Sequence, residues 1–254
     1  MELNDKMQKI ASDITCWIKD YANSCNKTTL VIGVSGGVDS SVVSTLCAKT
    51  GLKTIVASMP IHQLQHQDDL SKLHINDITS KYSNVALRNV DLSSTFDSLV
   101  QCLKDSEKSM LSLANTRSRI RMTMLYQIAS TCNGLVVGTG NKVEDFGIGF
   151  FTKYGDGGVD ISPIADLYKT EVWDLAKHLN ISRKIIDSPP TDGLWDDGRT
   201  DEDQIGASYE ELEYAMKYGQ TIGQTKRQQQ VLKIYKDYNS ANYHKMTPIP
   251  VFKK

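Results

Sequence analysis

The sequence predicts an α/β protein, doubly wound, with a mostly parallel sheet covered by helices on both faces. Three observations carry this expectation. Residues 29–34 (Thr-Leu-Val-Ile-Gly-Val) form a continuously apolar, β-branched run, the pattern of a central parallel strand shielded on both sides. A glycine-serine turn follows, then Val42, Val43, Leu46 and Cys47 recur at helical spacing until Gly51, and residues 54–57 supply the next strand. The alternation then continues down the chain, which implies parallel pairing with crossover helices.

Taken in order, residues 1–21 interleave Lys6, Lys9, Asp13 and Lys19 with Ile10, Ile14, Trp17 and Ile18, an amphipathic helix rather than a signal segment. After the second strand come a helix over 69–81, a strand over 85–90, helical segments through 98–131 and a strand over 135–138. Val172, Leu175, Ala176 and Leu179 make the stripe of a core-packing helix over 170–179, and Pro189-Pro190 stops helical structure. The loop over 191–206 is polar and rich in Asp and Gly. A loop of that length in a compact domain is usually mobile or functional. Ser208-Tyr209-Glu210-Glu211 has capping-box spacing and starts a further helix, and residues 225–254 read as a helix plus a C-terminal arm. With no repeat or linker visible, residues 1–254 are expected to form one domain, burying roughly three quarters of the unfolded surface.

Composition excludes more than it identifies. A net charge of -1 gives no global field to collect a nucleic acid, and no segment reaches the length of a membrane span. The five cysteines form no CxxC pair and read as buried, reduced thiols of a cytoplasmic protein.

The chemistry starts at Ser35-Gly36-Gly37-Val38-Asp39-Ser40, between a buried strand and a helix start. Free N–H groups and the helix dipole favour phosphate there. The two glycines let oxygens approach the backbone, and Ser35 and Ser40 add hydroxyls. Asp39 would repel phosphate unless a magnesium ion bridges the two, so Asp39 is a candidate metal ligand. No lysine follows the glycines as a Walker A loop requires, which disfavours γ-phosphate transfer. Thr139 and Glu144 lie just past an apolar strand, at the edge where open α/β sheets bind ligands, and Glu144 is placed to join Asp39 around the metal. His62 and His66 have the spacing of a helical metal pair but lack a third ligand pattern; they read instead as part of the polar loop after the second strand.

The SGGxDS segment resembles the pyrophosphate loop of ATP-pyrophosphatases. Residues 138–144 (Gly-Thr-Gly-Asn-Lys-Val-Glu) and 150–160 (Phe-Phe-Thr-Lys-Tyr-Gly-Asp-Gly-Gly-Val-Asp) resemble the signature of the NAD synthetases among them. This resemblance runs from Leu30 through Lys245. It implies an adenine nucleotide alpha-hydrolase-like fold, and ammonia-dependent amidation of the nicotinate carboxylate of deamido-NAD through an adenylate. It implies ATP contacts at Gly33, Val34, Ser35, Gly36, Gly37, Val38, Asp39, Ser40, Thr139, Lys169 and Thr191. Magnesium is implied at Asp39 and Glu144, the pair that carries catalysis, and deamido-NAD contacts at Arg119, Lys153, Asp160, His244 and Lys245. A homodimer without a glutamine amidase domain is implied as well, and the loop over 191–206 is expected to close over the adenylate and keep water from it. A tRNA-modifying pyrophosphatase, which would want a basic patch, and a non-catalytic nucleotide sensor remain the rival readings.

Overall fold

The computed structural model describes residues 2–191, 193–194, 198–219 and 225–254 of the chain. Four strands, β1 (Thr29–Gly33), β2 (Lys53–Ser58), β3 (Val85–Asn89) and β4 (Gly134–Val136), form one parallel sheet in the order β3-β2-β1-β4. The chain steps outward from β1 to β3, then crosses back to lay β4 on the other side of β1. A crevice opens at such a reversal, beyond the carboxyl ends of the strands. Past β4, Val137 pairs in parallel with Ile161 as an isolated bridge.

The described residues also form α1 (Glu2–Ser24), α2 (Val38–Lys49), α3 (Gln65–Lys81), α4 (Ser93–Gln101), α5 (Met110–Thr131), α6 (Lys169–His178), α7 (Arg183–Ile186), α8 (Asp201–Ile205), α9 (Tyr209–Tyr218) and α10 (Lys226–Met246). A π-helical segment spans Val143–Ile148. The period-two geometry of a strand divides the helices into layers. Leu30 and Ile32 of β1, Val56 and Leu135 pack with Ile18 of α1, Val42, Val43 and Leu46 of α2, and Val172 and Leu175 of α6. Val31 and Val136 face the other way, against Leu125 and Ala129 of α5. The doubly wound expectation therefore holds. A third cluster joins Val143 and Ile148 to Ile205, Tyr209, Leu212 and Val231, seating α8, α9 and α10 against the π-helical segment.

Several local expectations are corrected. Helix α3 begins at Gln65, earlier than residue 69, because its polar first turn leaves no apolar stripe to read. His66 is thus helical, while His62 precedes the helix with φ 47° and places Nε2 2.8 Å from Asp97 Oδ1, so the two imidazoles make no helical pair. Residues 98–131 are divided, with α5 starting after Ser109, whose hydroxyl accepts from the Ser112 N–H at 3.2 Å. The stretch 191–206 contains α8, initiated by Thr200, whose Oγ1 accepts from Asp203 N at 3.1 Å. Residues 192 and 195–197, on which the expectation of loop closure partly falls, lie outside the described residues. Of the cysteines, all free, Cys47 alone is buried; Cys16, Cys25 and Cys102 are exposed because they sit on outward helix faces and ends. Among the described residues no helix is long and apolar enough to cross a membrane.

Candidate active site

The turn between β1 and α2 forms a cradle. Gly37 caps α2 without any side-chain hydrogen bond to the first-turn amides, which leaves those N–H groups free for a ligand. Ser35 Oγ and Ser40 Oγ lie 3.2 Å apart, and Ser40 Oγ donates to Gly37 O at 3.0 Å, which fixes both hydroxyls at the helix entrance. Gly36 has φ 92° and sits against α3: a Cβ there would meet Ser71 N at 2.7 Å and Gln67 O at 2.9 Å. Only glycine fits both the conformation and the space. Helix α3 in turn is tied to the cradle by Ser71 Oγ, which donates to Val34 O at 2.9 Å.

Beside the cradle, two acidic side chains meet one ammonium. Lys169 Nζ, at the first position of α6, lies 2.5 Å from Asp39 Oδ2 and 3.1 Å from Glu144 Oε1. Lys169 is 2 % exposed and each carboxylate side chain 17 %. Burial works against the lysine charge, but Asp39, Glu144 and Asp201 outweigh it and hold its pKa above the ordinary value. Burial raises the Asp39 carboxyl, opposed by the Lys169 charge and reinforced by Glu144. The loop after β4 supplies the frame: fully buried Asn141 accepts from Val143 N at 3.1 Å and Glu144 N at 3.2 Å, and donates to Asp39 Oδ1 at 3.3 Å. One amide thus ties the Asp39 carboxylate to the main chain of Glu144. Among the described residues no three His, Cys, Asp or Glu side chains converge as a metal site. A cation here would have two protein carboxylates, the donor set expected for magnesium, which keeps waters and takes phosphate oxygens.

The remaining residues named from the sequence divide into groups. Gly33 and the cradle from Val34 to Ser40 lie together at the end of β1, and Thr139 lies two residues after the Val137 bridge. Thr191 Oγ1 donates to Arg199 O at 3.2 Å and accepts from Gly193 N at 3.2 Å, and Gly193 lies against Gln63 and Gln67, the latter also a neighbour of Gly36. A second, cationic cluster forms at the far end of the π-helical segment. Arg119 Nε donates to Lys153 O at 3.2 Å, Lys153 Nζ to His244 O at 2.8 Å, and Lys245 Nζ to Phe151 O at 2.7 Å. Asp160 sits beside β4, accepting from Val136 N at 2.7 Å and Tyr126 OH at 3.0 Å. Within the run over 153–160, Gly155 and Gly158 are packed onto Ser118 and Met122 of α5.

Sequence reasoning missed four residues. Asn141 lay inside the motif but received no role, whereas its neighbour Lys142 points away to Asp166 at 2.8 Å. Tyr209 and Asp201 looked like ordinary helix starts, yet the Tyr209 hydroxyl reaches Glu144 Oε1 at 2.6 Å and Asp201 Oδ2 at 3.1 Å. Burial, then the charges of Glu144 and Asp201, push the phenol well above its usual pKa, so it stays a donor. Asp145 packs its carboxyl against Gly140, and burial, reinforced by Glu144, Asp156 and Asp39, lifts it to about 8.

A parallel sheet with an open helix entrance at the end of β1, flanked by an acid pair at the switch point, defines an α/β nucleotide-binding protein of the adenine nucleotide alpha-hydrolase-like fold. The NAD synthase family model matches residues 10–248, and the chain belongs to that family. It is 38% identical over 220 residues to an NH(3)-dependent NAD(+) synthetase of Carboxydothermus hydrogenoformans, covering 85% of this chain and 86% of that one. It is 35% identical to a protein of the same name from Alkaliphilus metalliredigens, covering 98% and 99%. Among solved structures, the NMN synthetase of Francisella tularensis matches with a TM-score of 0.88 and 29% identity over 98% of this chain and 99% of that one.

Proposed function

We propose that the protein is an ammonia-dependent NAD synthetase, a ligase that uses ATP to amidate the nicotinate carboxylate of deamido-NAD in the last step of NAD biosynthesis. The observation that carries this is the convergence of Asp39 and Glu144 on Lys169 beside the uncapped entrance of α2. A carboxylate resists ammonia because oxide is a poor leaving group; two displacements avoid that step. In the first, a carboxylate oxygen attacks the α-phosphorus of ATP and pyrophosphate departs. The amides of α2, the Ser35 and Ser40 hydroxyls and the Lys169 ammonium receive the charge that moves onto the leaving group, preorganised for it before reaction. Asp39 and Glu144 would hold magnesium, which supplies further charge neutralisation at that oxygen cluster. In the second, ammonia attacks the acyl carbon and AMP leaves with one of the former carboxylate oxygens.

The group of Arg119, Lys153, His244 and Lys245, which carries three permanent cations, is proposed to take the phosphates and acid end of deamido-NAD, with Thr139 and Thr191 on the ATP side. Asp160, already engaged by Tyr126 and Val136, is proposed to contact the same substrate through its free lone pairs. A cytoplasmic homodimer completes the reading, and sedimentation at working concentration tests the assembly.

The decisive experiment uses deamido-NAD labelled with oxygen-18 in its carboxylate, with Mg-ATP and ammonium. Labelled AMP is expected, and Asp39→Ala is expected to lower kcat at least about a hundredfold. Unlabelled AMP, or ADP in its place, would sink the reading. The similarity to the Francisella NMN synthetase over nearly the whole of both chains favours a second reading, in which nicotinate mononucleotide is the acid amidated. Comparing kcat/KM for the labelled mononucleotide and dinucleotide separates the two.

A further inference from the structure

Glu144 uses its two oxygens unequally. Oε1 receives both Lys169 Nζ, at 3.1 Å, and the Tyr209 hydroxyl, at 2.6 Å. Among the described residues Oε2 has no hydrogen-bond partner in the protein. Tyr209 is fully buried at the first turn of α9, and a phenol carries one proton, so the shorter of its two carboxylate contacts marks the acceptor. Its ring cannot drift. Trp173 packs against it edge-on, with centroids 6.1 Å apart and planes at 82°, and Lys169 Nζ stands 4.7 Å from its centre. Asn141 fixes only the main chain of Glu144, which leaves the direction of the carboxylate to side-chain contacts.

We propose that Tyr209 is a positioning residue, whose hydroxyl pins Oε1 of Glu144 and so presents Oε2 to the divalent cation that accompanies ATP. The inference rests on the reading of Glu144 as a metal ligand. Outer-shell hydrogen bonds of this kind set the orientation of ligating carboxylates, and losing one typically costs about 10–100-fold in metal affinity. The lever is a single hydroxyl on a rigid ring.

The test measures Mn2+ binding by electron paramagnetic resonance in the presence of ATP and without any nicotinate substrate, so that turnover plays no part. Four proteins are compared: the parent, Tyr209→Phe, Glu144→Gln and the double variant. Tyr209→Phe is expected to weaken Mn2+ about tenfold, to raise the Mg2+ concentration needed for half-maximal activity, and to leave KM for deamido-NAD unchanged. On the Glu144→Gln background the same change is expected to have no further effect. Parent-like Mn2+ binding by Tyr209→Phe, with binding weakened in Glu144→Gln, would overturn the positioning role alone. Parent-like binding by Glu144→Gln would instead overturn the metal-ligand reading on which it stands. Asp201→Asn keeps the phenol and removes only a charge, so it should weaken Mn2+ less than Tyr209→Phe does, a comparison open even where phenylalanine prevents folding. A loss there as large as that of Tyr209→Phe would make Asp201 the partner that matters and refute the assignment.

Discussion

Lys169 occupies a position that opposes its charge twice, being 2 % exposed and placed in the first turn of a helix, where the dipole is positive. Asp39 and Glu144 offset both costs, so removing the ammonium leaves two close carboxylates without a counter-charge. Lys169→Met is expected to lower stability by about 3 kcal/mol in metal-free buffer, with millimolar Mg2+ restoring part of it by binding the folded state. Urea denaturation with and without chelator reads both effects; a midpoint indifferent to the substitution would contradict the balance described. Gly36 is constrained as tightly, since its φ of 92° and the backbone of Ser71 and Gln67 both exclude a side chain. Gly36→Ala is expected to cost about 2 kcal/mol or more and to weaken ATP binding, because α3 must move away from the cradle. A melt and an ATP titration check it. At this scale the cradle was legible because its residues are contiguous. Tyr209 was not, because its hydroxyl meets a carboxylate 65 positions earlier in the chain.

Helices α2 and α3 share a buried polar contact, in which His74 Nε2 lies 2.8 Å from Ser44 Oγ. Burial lowers the His74 pKa to about 4, so the folded protein keeps this imidazole neutral. The unfolded chain takes up the proton near its ordinary pKa of about 6.5. Between those values the unfolded state binds more protons. Stability is therefore lost as pH falls from about 6.5 toward 4, by up to about 3 kcal/mol, and this group contributes no such slope above that window. Equilibrium unfolding at pH 7 and pH 5 should show the loss, and His74→Gln should flatten it; an equal slope in the variant would assign the loss to other groups. The start of α3 was misread from the sequence for a related reason. Its first turn, Gln65 to Asp68, is polar, so hydrophobic periodicity begins only at Leu70, where the helix reaches the core.

Across the whole molecule the sheet is unevenly covered. Ile32 in the central strand is fully buried between layers, whereas Leu87 in the edge strand is 49% exposed. Ile32→Ala is expected to cost about 2–5 kcal/mol through lost burial and an unfilled cavity, and Leu87→Ala under about 1 kcal/mol. Chemical denaturation of both variants tests the contrast, and similar losses would mean that β3 is covered by something other than this chain. The edge position of β3 was not readable from its residues, because strand order follows from the crossover that returns β4 to the side of β1.

The sequence by itself determined the alternation of strands and helices, the two-faced burial of β1 and the glycine-serine cradle at the entrance of α2. The alternation and the cradle depend on residues a few positions apart, where local geometry leaves little choice, and the burial of β1 is legible in its continuous apolar run although α1, α2, α5 and α6 supply the cover. The sequence already pointed Glu144 toward Asp39; the tertiary structure alone decided that Lys169 meets both, with Asn141 framing them and Tyr209 fixing one oxygen. Those side chains come from α2, the π-helical segment, α6, the loop after β4 and α9. Their meeting is set by how the sheet is crossed and how the outer helices pack, and neither leaves a mark at any single position of the chain.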